Sequence, residues 1–306
     1  MASSINTVAE QEVATVKSAL FNPDVVFLLA GLLDARDLSH VSQSCKTLGG
    51  RANAVDGLSL VEEAARRLFE CASEWERSCL RKYPDEGWIE LYRHLLMLRS
   101  KLTFDQLVGI NVQHGEEGSI IRSVPGHRNG SSALCSHHVM RSGKHFAVFT
   151  GLEGFFNIGV VRPVQIISSD FFQGVPIFFR EEVLEIFSPG LQRFWEYLLG
   201  QRTARWTDSN VHCCSVSKAV VAGKFFWYDW RRSKQEVSID GLQSNTPIGL
   251  LLDLVEGTLS IYQNGQRLAT LKNRLSGEYC WFATVSGVSQ SIAIERGLAP
   301  EDQRKG

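Results

Sequence analysis

Ile248-Gly249-Leu250-Leu251-Leu252-Asp253-Leu254-Val255-Glu256-Gly257-Thr258-Leu259-Ser260-Ile261-Tyr262-Gln263-Asn264-Gly265-Gln266-Arg267-Leu268-Ala269-Thr270-Leu271 decides the fold class of the second part of the chain. Three short apolar runs, Ile248–Leu254, Leu259–Gln263 and Gln266–Leu271, are separated by two turn signals. Asn264-Gly265 is the stronger signal, because a two-residue type I′ hairpin turn needs φ > 0 at both central positions. The other, Asp253-Leu254-Val255-Glu256-Gly257, brings two carboxylates close together, yet it reads as a turn with Gly257 supplying the bend rather than as an acid/base pair.

Outward from this meander the same grammar continues. Ser132–Val139, Lys144–Thr150, Phe155–Val161, Val211–Val216, Phe225–Trp230, Glu236–Ile239, Tyr279–Ser286 and Gln290–Glu295 are further short strand candidates. Many short strands with Gly-rich turns predict an antiparallel β-sandwich. Alternation along Phe225–Trp230 sets Phe225 and Trp227 on one face and Phe226 and Tyr228 on the other. One row is expected to fill the core and the other to lie under an inserted segment. That insertion, at about residues 163–210, contains Pro189-Gly190 and a helical stripe of Leu191, Phe194, Trp195, Leu198 and Leu199.

The first 110 residues read differently. They hold 6 of the 26 glycines and 2 of the 8 prolines, so turn residues concentrate after them. Helical spacing dominates instead. Asp24 precedes a stripe of Val25, Leu28, Leu29, Leu32 and Leu33, expected to form a buried helix. A second helix is expected over Asp37–Leu48, stopped by Gly49-Gly50. Ser59 and Glu62 have the spacing of a capping box. It would open one long helix with Val61, Ala65, Leu68, Ala72, Trp75 and Cys79 on a single face. Beyond Pro84-Asp85, Trp88, Leu91, Tyr92, Leu95, Leu96 and Leu98 form another stripe. The fold class is therefore α+β: an all-α domain over 1–110, a β-sandwich over 111–297 with its helical insertion, and a tail over 298–306.

Charge excludes some functions. Residues before Gly109 carry 12 basic and 15 acidic side chains, and the remainder 20 and 18, for a net charge of −1. Neither part has the basic excess of a nucleic-acid binder or of a polybasic membrane-surface protein. Met1–Glu10 has no basic stretch followed by an apolar one, so no secretory signal is expected. Val25–Leu33 is far short of the roughly 20 residues that span a bilayer. Seven cysteines without a CxxC pair fit reduced thiols in the cytoplasm or nucleus.

Chemistry-bearing clusters are sparse. Cys135-Ser136-His137-His138, with His145 nearby, invites a metal reading, but no second local ligand pair completes a tetrahedral set. His212-Cys213-Cys214 invites a thiol-nucleophile reading, yet free cysteine is among the most buried residue types. Gly115-Glu116-Glu117-Gly118 reads as a solvated loop. Phosphate-loop, GxSxG, HExxH and dinucleotide patterns do not occur. The expectation is a protein with no catalytic residues, no cofactor and no metal; a metal- or thiol-dependent enzyme is the alternative these clusters leave open.

Two segments resemble known families. Asn22–Leu48 resembles an F-box, with Val25, Leu33, Asp37, Leu38, Val41, Ser42, Cys45 and Lys46 at matching positions. Pro23 falls one position late, and Leu48 stands where a tryptophan commonly occurs. Gly87-Trp88-Ile89-Glu90-Leu91-Tyr92-Arg93 is similar to a stretch often found downstream of F-boxes. Ile248–Gly265 resembles the hairpin of SPRY domains, and Gly143-Lys144-His145-Phe146 and Asn157-Ile158-Gly159-Val160 resemble early SPRY strands. The resemblance implies a substrate receptor of an SCF-type ubiquitin ligase. Pro23, Val25, Leu33, Leu38, Val41, Ser42 and Cys45 would bind a Skp-type adaptor that joins a cullin. Arg162, Pro163, Val288 and Ser289 would share one loop rim that holds a target protein, with Arg128 or Arg141 nearby. A SPRY interaction module with a degenerate F-box and no ligase role is the competing implication. No nucleic acid and no membrane are expected among the partners.

Overall fold

The computed structural model describes residues 22–44, 46–50, 57–124, 131–152, 156–166, 197, 199–207, 209, 211–218, 223–229, 234–243, 245–285 and 290–298. Most of the expected insertion helix, with Leu191, Phe194, Trp195 and Leu198, lies outside the described residues, as do Arg128, Val288 and Ser289, while Leu199 at its end is helical and exposed. The chain divides into two compact units, Met1–Ser100 and Lys101–Gly306. The division falls ten residues ahead of the sequence boundary because Leu102 and Phe104 already belong to the β core.

The first unit contains α1 (Pro23–Ala30), α2 (Ala35–Ser44), α3 (Lys46–Gly49), α4 (Leu60–Glu70), α5 (Glu74–Cys79) and α6 (Trp88–Arg99). The long helix expected from Ser59 onward is broken in two at Cys71–Ser73. A full capping box starts the second piece: the Ser73 hydroxyl accepts the Glu76 N–H, and the Glu76 carboxylate accepts the Ser73 N–H. At Ser59 only half of such a box forms. Its hydroxyl accepts the Glu62 N–H at 3.2 Å, but the Glu62 carboxylate reaches across to accept the Trp88 N–H instead. Gly87, the N-cap of α6, has no capping side chain of its own, so Glu62 supplies one from another helix. A side chain at Gly87 would meet that carboxylate at 2.8 Å. The core of this unit gathers Ala30, Leu38, Val61, Ala65, Phe69, Leu91, Leu95 and Leu98.

The second unit is two antiparallel seven-stranded sheets. Its strands are β1 (Gln106–Val108), β2 (Val112–His114), β3 (Ile120–Ser123), β4 (Ser131–Leu134), β5 (Lys144–Thr150), β6 (Phe156–Val161), β7 (Val211–Lys218), β8 (Gly223–Asp229), β9 (Lys234–Ile239), β10 (Ile248–Asp253), β11 (Thr258–Gln263), β12 (Gln266–Lys272), β13 (Cys280–Val285) and β14 (Ser291–Arg296). The first sheet has the order β1-β4-β13-β6-β7-β8-β9 and the second β12-β11-β10-β5-β14-β3-β2. Strands β1, β2 and β3 are additional to those read from the sequence; at three or four residues each they are too short for alternation to register. The Asn264-Gly265 turn takes φ of 53° and 72°, the pair of left-handed residues that a type I′ turn demands. At the other turn, Asp253 Oδ1 accepts the Val255 and Glu256 N–H groups at 3.0 Å, and Gly257 has φ of 66°.

Side chains from the facing surfaces of both sheets fill the core. Phe149 on the second sheet meets Trp281 on the first edge-on at 6.2 Å between ring centroids. Leu250, Leu252, Ile261, Ile158, Phe225 and Tyr279 complete that layer. The first sheet also buries its outer face, where Val161, Cys213, Phe226, Cys280 and Phe282 pack with Val164 and Trp206. Phe225 and Phe226 therefore enter opposite layers, as alternation requires. Among the described residues, no helix is long and apolar enough to cross a membrane.

The first sheet is packed tightly through β6. At Gly159, between Phe282 of β13 and Ser215 of β7, an added methyl would run into the Cys214 carbonyl. Backbone on both sides leaves no room to yield. Gly159→Ala should therefore cost the β unit about 3 kcal/mol. Urea unfolding followed by tryptophan fluorescence measures it, and an unchanged midpoint would contradict the packing described.

Candidate functional site

Two regions bear on function, one in each unit. In the helical unit, Asn22 caps α1 through its side chain, which accepts the Asp24 N–H at 2.9 Å, and Pro23 occupies the first turn where its missing N–H costs nothing. Asp34 then caps α2 by accepting the Arg36 and Asp37 N–H groups at 2.8 Å. Between these caps most of the expected apolar stripe is turned away from the core, Leu33 excepted. Val26 and Ala30 are the buried residues of α1, while Leu28, Leu29 and Leu32 are 76%, 45% and 83% exposed. The reading of α1 as a buried helix is thus corrected: small Ala30 joins the helical core, and the larger leucines face outward.

The expected adaptor residues are distributed unevenly across this surface. Val25, Leu33, Val41 and Ser42 are half-buried. Leu38 is only 2% exposed and belongs to the helical core, so its assignment as a docking residue is corrected. The side chain of Pro23 and the whole of Cys45 lie outside the described residues. Leu28, Leu29 and Leu32, which the motif positions passed over, carry the exposed apolar area instead. Their signal was present in the periodicity, but periodicity identifies an apolar face without saying what covers it.

In the β unit one residue of the expected target rim is drawn into the interior. Arg162 has no exposed surface. Its Nε donates to the Val211 carbonyl at 3.1 Å, Nη1 to the Ser276 and Glu278 carbonyls at 2.9 Å each, and Nη2 to the Ser209 carbonyl at 3.3 Å. The guanidinium also lies 4.0 Å from the centre of the Tyr279 ring, whose hydroxyl donates to the Val211 carbonyl. Burial lowers the Arg162 pKa from its ordinary value, and the tyrosine and its neighbours act against that shift. The planar fork is satisfied by backbone carbonyls, so the assignment of Arg162 to a target rim is corrected to a structural one.

Of the other expected rim residues, Val288 and Ser289 lie outside the described residues. Pro163 is half-buried beside Arg162. Arg141 is buried too, with Nε 3.6 Å from Glu278 Oε1.

The cysteine and histidine clusters resolve into packing. Asp105, which the sequence reading missed, accepts the Ser136 N–H and hydroxyl at 2.7 and 2.6 Å and the His137 N–H at 2.6 Å. That carboxylate shapes the 135–138 turn, leaving His137 exposed and Cys135 in the core. Burial pushes the Cys135, Cys213 and Cys280 thiols well up from their ordinary value and Cys214 up to about 12. Such thiols are poor nucleophiles. His145 is buried as well; its Nε2–H donates to the Ser142 carbonyl at 2.8 Å. On the outer face of the second sheet, an open groove of about 350 Å³ is lined by Phe146, Val148, Pro247, Tyr262 and Leu298.

No family model and no curated protein matches the chain. Solved structures that align with it include the SPRY domain of human HERC1, at 17% identity and a TM-score of 0.36, covering 62% of this chain and 98% of that one. The TRIM65 PSpry domain aligns at 14% identity and a TM-score of 0.39, covering 65% and 98%.

Two buried ionisable side chains, Arg162 and His145, generate predictions. Replacing Arg162 with Lys removes the fork that serves four carbonyls and should cost on the order of 3 kcal/mol in urea unfolding. A stability equal to wild type would show the carbonyl cage to be dispensable. Desolvation lowers the His145 pKa from 6.5 to about 4. The unfolded chain binds that proton near pH 6.5 and the folded one only near pH 4. Its contribution is therefore complete above pH 6.5 and declines as pH falls towards 4, by up to roughly 3 kcal/mol. Stability–pH curves of wild type and His145→Gln should diverge across that window; parallel curves would be the contrary result.

Proposed function

We propose that the chain is the substrate-recognition subunit of an SCF-type ubiquitin ligase. In this reading the helical unit binds a Skp-type adaptor joined to a cullin, and the SPRY-like β unit binds a target protein. The observation that carries the reading is the exposed leucine face of α1 and its following turn, Leu28, Leu29 and Leu32, within the segment that resembles an F-box. A concentrated apolar face on a folded unit is the kind of surface that partners cover. Half-buried Val25 flanks it, so the proposed docking face overlaps the F-box positions first expected and adds these leucines to them.

The proposed work is done by proximity. Holding a target close to a charged conjugating enzyme raises its effective concentration, and this needs no acid, base or nucleophile on the receptor. The buried, protonated thiols of the β unit are compatible with such a role, as is a rigid sandwich whose surface presents contacts. The second reading, an interaction module without a ligase role, is favoured by the burial of Leu38, which removes one F-box position from the surface.

Leu28→Asp combined with Leu32→Asp separates the two readings, because both side chains are exposed and the change leaves the core intact. Recovery of a Skp-type adaptor in pull-downs should fall at least about tenfold, the effect of losing a small cluster of dominant interface contacts. Undiminished recovery from the folded double variant would defeat the proposed docking face. Failure of the wild-type chain to recover adaptor and cullin from its native cell would leave the interaction module as the function.

A further inference from the structure

The exposed leucines of α1 have, directly before them in the chain, a segment whose sequence is suited to meet them. Residues 1–21 precede α1 and lie outside the described residues. Within them Ile5, Ala9, Val13, Val16 and Leu20 recur at i, i+4, i+8, i+11 and i+15, the spacing of one apolar helix face. Thr7, Glu10, Gln11, Lys17 and Ser18 fall on the opposite side of that helix. So short an amphipathic helix is marginal alone in water and gains its stability by laying the apolar stripe on another surface.

The backbone at the start of α1 restricts where such a helix can lie. Asn22 is extended, with φ of −67° and ψ of 122°, and Pro23 disfavours helical geometry in the residue before it. A helix over residues 5–20 therefore cannot run straight on into α1. Helices joined by so short a connection pack as antiparallel neighbours. One face of α1 is already taken: Ala30 lies in the helical core, and Phe27 packs against that core with the Arg67 guanidinium 3.7 Å from its ring centre. Leu28, Leu29 and Leu32 mark the side left open. Counted from Asn22, Val16 stands as far before the turn as Leu28 stands after it, and Val13 nearly matches Leu32. At about 1.5 Å per residue along both helices, each pair reaches nearly the same height.

We propose that residues 5–20 form an amphipathic helix that folds back on α1 and covers Leu28, Leu29 and Leu32, so that the chain itself occupies the face offered to an adaptor. The short tether favours this occupant, because a segment joined directly to its site is presented at roughly millimolar effective concentration. A partner must then displace the segment, and its apparent affinity is reduced by the fraction of molecules whose face is open. That regulatory consequence rests on the ligase reading above; the docking of the segment does not.

The test uses the full chain carrying Leu28→Cys, with alkylation of the introduced thiol by iodoacetamide followed by peptide mass spectrometry. Exposed Cys71 in the same unit supplies a reference rate, and buried Cys79 should stay unreactive while the unit is folded. The introduced thiol should react slowly against that reference. Adding Val13→Asp and Val16→Asp should speed its reaction at least about tenfold, as a covered site opens. Equal rates at position 28 with and without the two aspartates would overturn the proposal. Protection that grows with protein concentration would overturn it too, by placing a second copy on the face. With Leu28 intact, the chain carrying Val13→Asp and Val16→Asp should capture a Skp-type adaptor about fivefold more strongly than wild type. Faster alkylation with no adaptor captured by either chain would uphold the docking and remove the ligase reading instead.

Discussion

The Arg162 guanidinium sets the terms for one end of the β unit. It occupies a place where carbonyls from Ser209, Val211, Ser276 and Glu278 converge. Buried carbonyls demand donors, and a buried cation demands acceptors. Arginine meets both needs at once because its donors lie in a plane and its charge is spread. The chain around it has been shaped to suit. Gly277 takes φ of 79° and sits where a side chain would meet the Trp206 backbone at 2.6 Å. The Tyr279 ring lies against the guanidinium and its hydroxyl closes on Val211, the carbonyl shared with Nε. Strands β6, β7 and β13 are thereby joined beyond their ladders by one side chain.

Apolar burial is divided unequally between the two sheets. The first is covered on both faces, so β13 and β6 read as continuous buried runs rather than alternating ones. The second alternates more visibly, and β5 sends Ala147 and Phe149 inward while Phe146 and Val148 remain half-buried outside. Phe146 there meets Tyr262 edge-on at 5.7 Å. A doubly covered sheet resists deformation, which suits a scaffold that must hold surface segments still. The helical unit shows a comparable economy in Glu62, which leaves its own N-cap half-served and completes the start of α6.

How much of this was legible depends on the range over which each signal acts. The 248–271 meander was readable because both its turns are specified by adjacent residues, and Asn264-Gly265 admits few alternatives. The β1–β3 strands were not, since three or four residues such as Val112-Gln113-His114 carry no periodicity. Ser59-Glu62 and Ser73-Glu76 have identical spacing, and only the three-dimensional position of Trp88 decides which glutamate closes its own box. The leucines of α1 were seen as a stripe, but the direction that stripe faces is a property of the neighbouring helices. Arg162 was read as a rim residue because its donors are visible in the sequence and the carbonyls they meet are not. That those carbonyls belong to the same chain depends on segments 47 to 116 residues away. Asp105, whose contacts organise the 135–138 turn, escaped notice for the same reason.

Strand order has a consequence for how the chain is made. In the first sheet β13 lies between β4 and β6, and in the second β14 lies between β5 and β3. Both central strands are synthesised after all the strands they join. Until Cys280–Val285 leaves the ribosome, β4 and β6 each present a bare edge, and β5 and β3 wait likewise for Ser291–Arg296. A nascent chain therefore spends most of its translation as two unfinished half-sheets with apolar faces uncovered, the state most open to mispairing with neighbouring chains. Bare strand edges during synthesis are the vulnerability written into this topology.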